Sequence, residues 1–436
     1  MKVKKFARAS RLWTLLAVGL VAVVVAACGS SSNNSTASKT SSGGGSSATS
    51  SSSATSSSAA TSSSSGTSSS STPSGSPYVL GSITSETGPF ASSDAPGAPG
   101  IEAWATYVNA HGGINGHPVK VTVKDDQGNP SIAISDVKAF ASQSDLLALV
   151  GSISSEEGSW GPVASALKLP VVGDFPFTPV SYGEPYIFPQ GTTFPSLLYG
   201  QVYAAVKLEH TPKVGLYYCA EESACAGSVP PVKEFATQLG GKVVSAEGVS
   251  ATAPNYDAVC QAAKSAGVQT MILALGESTI VSVANSCASI DYHPNFDFQS
   301  TSLEPSQGSI ASMNNHSIGV TETFPWMAST TSAQQAFQAG TKNVPAKYVG
   351  AALSLAWTSG ALFQAAIAHS HGTVSRQSIA EALWGLPKGD TLGGLAPPLA
   401  YKANSPAPQV KCFFAEKLSG GKWAPVGGGS KTFCQP

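Results

Sequence analysis

The chain has 436 residues, of which 42% are hydrophobic and only 11% charged, with 24 Lys and Arg against 25 Asp and Glu. That is more apolar sequence than one ordinary core takes up. The near-neutral, slightly acidic balance excludes a surface built for nucleic acid.

The N-terminal segment reads as a targeting signal, not as part of a fold. Lys2, Lys4, Lys5, Arg8 and Arg11 precede an apolar run over residues 12–25, the basic-then-apolar order of an export leader. The sixteen residues 12–27 fall short of the roughly 20 that a spanning helix needs. Val25-Ala26-Ala27-Cys28, followed by Gly29, resembles the lipobox of bacterial lipoproteins. That resemblance implies cleavage before Cys28 (residues 1–27 removed) and a lipid on Cys28, which would anchor the protein to the cell membrane. The alternative is an ordinary secretory leader with a chance cysteine. Both readings put the mature protein outside the cytoplasm. Without the leader's five basic residues, 19 Lys and Arg stand against 25 Asp and Glu. Residues 29–77 are almost wholly Ser, Thr, Gly and Ala, and such sequence cannot bury enough apolar surface to offset its ordering entropy. With Cys28 it forms a tether, residues 28–77, with an r.m.s. reach of roughly 40 Å.

The folded part begins with a strand over residues 78–83 and a turn-rich loop, Thr84-Ser85-Glu86-Thr87-Gly88-Pro89. Ile101, Trp104, Ala105 and Val108 share one face of a helix over 98–110, and Gly112-Gly113 stops it. Val119, Val121 and Val123 alternate as a strand ending at Asp125-Asp126, and Asn129-Pro130-Ser131 starts a helix that runs to about Gln143. Residues 146–150 are a short apolar run, a strand buried on both faces. Gly151-Ser152 turns the chain, Ser154 or Ser155 can cap, and Glu156-Glu157 opens a helix to about Lys168. Val171-Val172 follows Pro170 as another buried strand. This is a βαβ unit with parallel strands and a right-handed crossover. Its strand ends and helix N-terminus form half of a ligand cleft.

The runs NAHGGINGHPVKVTVKDDQGNPSIA, ALVGSISS and LPVVGD resemble, in that order, the periplasmic leucine/isoleucine/valine-binding protein family, the type I solute-binding lipoproteins of ABC importers. The resemblance implies an α/β fold of two Rossmann-like lobes joined by three crossovers, near Thr193, Thr321 and Asp390. Lobe 1 would comprise 78–193 and 322–390, and lobe 2 would comprise 194–321 and 391–436, with a solute bound as the lobes close by hinge bending.

The remaining sequence carries the repeats of a second doubly wound lobe. Helices are expected over 197–209, 231–239, 256–266 and 278–289, and strands over 214–218, 242–249, 270–275 and 298–301. Residues 318–324 make a crossing segment. Helices over 333–339, 349–369 and 375–386 follow, and the Gly- and Pro-rich last fifty residues suit edge strands and hairpins. Seven cysteines less Cys28 leave six, an even number in an exported protein and therefore a disulfide set. The count does not give the connectivity. Spacing favours Cys219–Cys225 within one loop, Cys260–Cys287 between successive helices and Cys412–Cys434 at the C-terminus, the two longer loops each contributing roughly 3 kcal/mol.

Ser154 and Ser155 stand where the family places hydroxyls that hold a ligand carboxylate. Ser154-x-x-Glu157 also reads as a capping box in which both side chains satisfy the helix's own N–H groups. Glu156 and Glu157 depart from the family pattern, and their charge would oppose an anion if they faced the cleft. The resemblance puts the second contact at Phe177 or Thr178; the two phenylalanines there, Phe175 and Phe177, make either an apolar wall or core beneath the loop, the latter favoured for Phe175. It offers Glu304, in Ser302-Leu303-Glu304-Pro305, as a carboxylate for the solute's ammonium. Glu277 is a second carboxylate candidate, or else an exposed charge at a helix N-terminus. Of Tyr217 and Tyr218, which end a strand, Tyr218 is carried as a contact candidate.

Enzyme readings are weaker. Ser165-x-x-Lys168 matches an acylating pair, but no Ser-Asp-Asn accompanies it. His369-x-His371 cannot share a helical face. The leading expectation is a receptor, monomeric and not an enzyme, that captures a small solute such as an amino acid and passes it to an ABC permease. It would need no cofactor or metal, and its partners would be the solute, the permease and, through the lipid, the membrane. The same lobes could instead serve a sensor that feeds a signalling protein.

Overall fold

A computed structural model describes residues 73–436 apart from Glu222; the leader, the lipidation candidate Cys28 and the tether up to residue 72 lie outside the described residues. The chain first builds β1 (Tyr78–Thr84), α1 (Ala91–Asp94), α2 (Gly97–Ala110), β2 (Val119–Asp125), α3 (Pro130–Ala141), β3 (Leu146–Ser152), α4 (Glu157–Ala166), β4 (Val171–Asp174) and β5 (Ile187–Phe188). These strands form one parallel sheet in the order β2-β1-β3-β4-β5. Local chemistry sets the boundaries. The Asn129 side chain accepts the N–H groups of Ser131 and Ile132, and Pro130 opens α3, where its missing N–H is not needed.

The chain then crosses to α5 (Phe194–Tyr203), β6 (Lys213–Cys219), α6 (Ser223–Ala226), α7 (Val229–Gln238), β7 (Lys242–Val249), α8 (Asp257–Ala266), β8 (Thr270–Ala274), α9 (Glu277–Ser289), β9 (Asn295–Gln299) and β10 (Ser317–Thr321). It returns with α10 (Ser332–Thr341), α11 (Ala351–His369) and α12 (Arg376–Trp384), and crosses again to β11 (Cys412–Ser419), β12 (Lys422–Pro425) and β13 (Phe433–Cys434). The second sheet runs β12-β11-β10-β9-β8-β6-β7, with β13 paired to β11. Its strands from β7 to β10 are parallel, and β11 to β13 are antiparallel additions at one edge. This is an α/β fold of two Rossmann-like lobes joined by three crossovers.

Helix α11 carries much of the first lobe's packing, against α2, α12, β3 and β4. Two glycines let α2 and α11 meet at backbone distance. A Cβ on Gly100 would stand 2.7 Å from the Leu353 carbonyl oxygen, and one on Gly360 would stand 2.1 Å from the Trp104 ring. Among the described residues α11 is the one helix long and apolar enough to cross a membrane, and it is mostly buried within the fold.

The elements differ from expectation at a few ends. The helix expected over 197–209 starts earlier, at Phe194, and its last turn widens into a π-helical turn, Ala204–Leu208. The strand expected over 298–301 stops at Gln299, because Ser300 turns left-handed at φ 55° and Ser300–Ser302 forms a 3₁₀ turn. The short helix α1 falls in what reads as a loop. Disulfides join Cys219 to Cys225, Cys260 to Cys287 and Cys412 to Cys434, the pairing that spacing favours, and all three lie in the second lobe.

Candidate functional site

Both sheets wind the same way. In the first, β1 and β3 lie side by side and their chains continue in opposite lateral directions; in the second, β6 and β8 do so. Such a switch point leaves a crevice beyond the strands' carboxyl ends. A cleft lies there, lined by both lobes. The first lobe contributes Phe90, Ser93 and Asp94 after β1, Ser155 after β3, and Phe175 and Phe177 after β4. The second contributes Cys219 at the end of β6, Ala274–Gly276 at the end of β8, and Gln299–Ser302 at the end of β9. The lobes stand close, and the space between them is about 40 Å³. A larger groove of about 380 Å³ lies among α2, α10 and α11, all first-lobe helices, with no contribution from strand ends of either sheet.

The polar centre of the cleft is Asp94, which is 1% exposed. The Ser155 hydroxyl donates to its Oδ2, and the Thr301 hydroxyl, from the other lobe, donates to Oδ1 at 3.4 Å. Burial pushes the Asp94 carboxyl up to about 7, the two hydroxyls opposing that rise and the nearby Asp126 adding to it. Beside it, Ser93 Oγ accepts the Glu277 N–H at 3.1 Å and lies 3.3 Å from Ser302 Oγ, while Ser302 donates to the Leu275 carbonyl. The apolar wall is Phe90 with Phe175 and Phe177, the last two stacked with centroids 5.5 Å apart. Phe175 therefore reaches the cleft, although the sequence places it beneath the loop.

Of the seven contact candidates, Ser155 and Phe177 line the cleft. Ser154 is fully buried behind it. Its hydroxyl donates to Asp126 and accepts the Trp160 indole N–H and the Glu156 N–H, each at 3.1 Å. The capping box is not formed, because the buried Glu157 carboxylate turns away to accept the hydroxyls of Thr178 and Ser181. That bond also takes Thr178 out of the cleft lining, and Thr178 instead caps the turn Pro179–Tyr182. Tyr218 is half-buried between the two larger core clusters, and its neighbour Cys219 lines the cleft in its place.

Glu277 and Glu304 stand near one another outside the lining. The half-buried Glu277 carboxyl is raised by burial. The Glu304 carboxyl is pushed up to about 8 by burial and then by Glu277, while the Ser306 hydroxyl donates to it. The carboxyl that lines the cleft is Asp94 of the first lobe, which the sequence does not single out. Its loop carries no periodicity, and only contact with the second lobe reveals its position. Among the described residues no group of three or more His, Cys, Asp or Glu side chains could hold a metal ion.

Comparison with known proteins agrees with this architecture. The family model described as "Periplasmic binding protein" matches residues 77–421. No curated protein matches. Among solved structures, a fatty acid ABC transporter substrate-binding protein from Thermomonospora curvata is 18% identical, with a TM-score of 0.69 over 82% of this chain and 92% of that one. A branched-chain amino acid ABC transporter protein from Thermus thermophilus with bound valine is 14% identical, with a TM-score of 0.71 over 82% and 97%. An ABC transporter substrate-binding protein from Aeropyrum pernix is 15% identical, with a TM-score of 0.72 over 83% and 96%. At these identities the likeness is one of fold. Two equally wound lobes, a cleft at both switch points and a family match over most of the chain converge: the chain belongs to the periplasmic binding protein family, with a type I fold, and is a binding protein, not an enzyme.

Proposed function

We propose that the chain is the extracytoplasmic solute receptor of an ABC importer, held to the membrane by a lipid on Cys28 and delivering its solute, as a monomer, to a membrane permease. The observation that carries this reading is the cleft itself, where Asp94 of one lobe accepts hydroxyls from both lobes. A solute that replaces those hydroxyls, or adds to them, touches both lobes at once, and its binding energy is tied to their closure. Hinge bending would occur at the crossovers near Thr193, Thr321 and Asp390. Binding alone completes this activity, so no cofactor enters it.

The test is a thermal-shift screen of the purified protein against amino acids, amines, amides, short carboxylic acids and fatty acids, followed by calorimetry. A true solute at about 100 times its Kd adds roughly 2.7 kcal/mol to stability. A hit whose binding also compacts the protein in solution scattering supports the receptor reading. Hits that leave the dimensions unchanged count against it.

A further inference from the structure

We propose that the solute is a small organic cation, an alkyl- or arylalkylammonium that carries no carboxylate; this rests on the receptor reading above. The argument begins with the donors that a carboxylate would need. At the turn from β3 into α4, the natural anion site of this fold, those donors are already used. The Ser155 hydroxyl goes to Asp94, the Ser155 N–H to Ser85 Oγ at 3.2 Å, the Glu156 N–H to Ser154 Oγ and the Ser154 hydroxyl to Asp126. An anion arriving there would displace these bonds and meet the carboxylates of Asp94 and Asp126.

The acceptors point the other way. Asp94 sits in the cleft wall, and Gln299, which also lines it, is 7% exposed and its Oε1 has no hydrogen-bond partner. A buried acceptor without a donor is costly unless a ligand supplies one. No Lys, Arg or His is among the described residues that line the cleft, and the carboxyls of Glu277 and Glu304 stand near one another outside the lining. The rings of Phe90, Phe175 and Phe177 line the same cleft and suit a solute with an apolar body. An ammonium group supplies a donor to the unpartnered Gln299 oxygen and a positive charge opposite Asp94.

The test uses the purified full protein and three matched probes, isoamylamine, leucine and isovalerate, with phenethylamine as an aromatic amine. Calorimetry at pH 8 is expected to show binding of one or both amines, with leucine and isovalerate at least tenfold weaker. Asp94→Asn should weaken amine binding roughly 30-fold or more. Gln299→Met, a near-isosteric change that removes the unpartnered acceptor, should weaken it severalfold and serves where the Asp94 variant fails to fold. Tighter binding of leucine or isovalerate than of the amines overturns the cation assignment and leaves the receptor reading standing. Binding of none of the four probes overturns the cation assignment as well, and the receptor reading is then judged by the wider screen. Unchanged amine affinity in both variants also overturns it.

Discussion

Ser154 and Ser155 are adjacent hydroxyls with different acceptors, Asp126 for the first and Asp94 for the second. One residue of offset separates a structural group from a cleft group, because Ser154 is buried within the first lobe and Ser155 lines the cleft. Ser154→Ala would leave the buried Asp126 carboxyl short of a donor and the Trp160 indole N–H without its acceptor. It should lower unfolding free energy by roughly 1–3 kcal/mol in urea titrations and leave solute affinity at the parental value. An affinity loss without a stability loss would reverse the two serines' roles. The sequence could narrow the contact to this pair, since strand, turn and helix were legible from Leu146–Ser152 onward. It could not choose between them, because the choice depends on Asp94 and Asp126, which approach from other loops.

At the scale of the element, α1 is a four-residue helix that touches the opposite lobe through every one of its polar side chains. Ser92 lies 3.5 Å from Ser278, Ser93 bonds Glu277 and Ser302, and Asp94 bonds Thr301. These bonds exist only while the lobes meet. Ser93→Ala removes two of them, each worth about 1 kcal/mol net. The ligand-free variant should therefore be more open, with a larger radius of gyration by solution scattering, and should bind solute roughly 5- to 30-fold more weakly through the lost closure. An unchanged radius and affinity would show that α1 rests against the other lobe without holding it. The stretch Phe90–Ala95 gave no warning of this. A helix one turn long has no apolar period to detect, and its serines acquire partners only from residues some 200 positions away. The long elements were legible for the converse reason. α11 and β8 announce themselves as continuous apolar runs and α8 by the Gly267 that stops it, signals that need no knowledge of the other lobe.

Across the whole molecule the buried carboxyls share one direction. Burial pushes Asp94 to about 7, Asp174 to about 6, Glu304 to about 8 and Glu322 to about 7, and raises Glu157, Asp297 and Glu416 as well. In the unfolded chain these groups titrate near 4. Between those limits the folded protein holds more protons than the unfolded one, so this contribution to stability is fully present below about pH 4 and is lost as pH rises through 6 to 8. The groups lowered by hydrogen bonding, Asp125 and Glu221, act only in more acid solution. The melting temperature should therefore be higher at pH 5 than at pH 8, by about 2 °C for each kcal/mol lost. A cationic solute should narrow the difference by supporting the ionised forms. A melting temperature that rises from pH 5 to pH 8 without solute would contradict this account.

The three crossovers also dictate an order of events when the chain is threaded outward N-terminus first. The sheet β1 to β5 emerges early, yet the helix that covers one side of it, α11, follows only after most of the second lobe. The second sheet in turn gains β11 to β13, and the Cys412–Cys434 link, from the last stretch to arrive. Neither lobe can finish while the other waits inside. Threaded in that order, the chain would leave both lobes half-built, with apolar faces uncovered, until almost all of it has emerged. The two lobes would then be completed together, by the last segments to arrive, rather than one after the other.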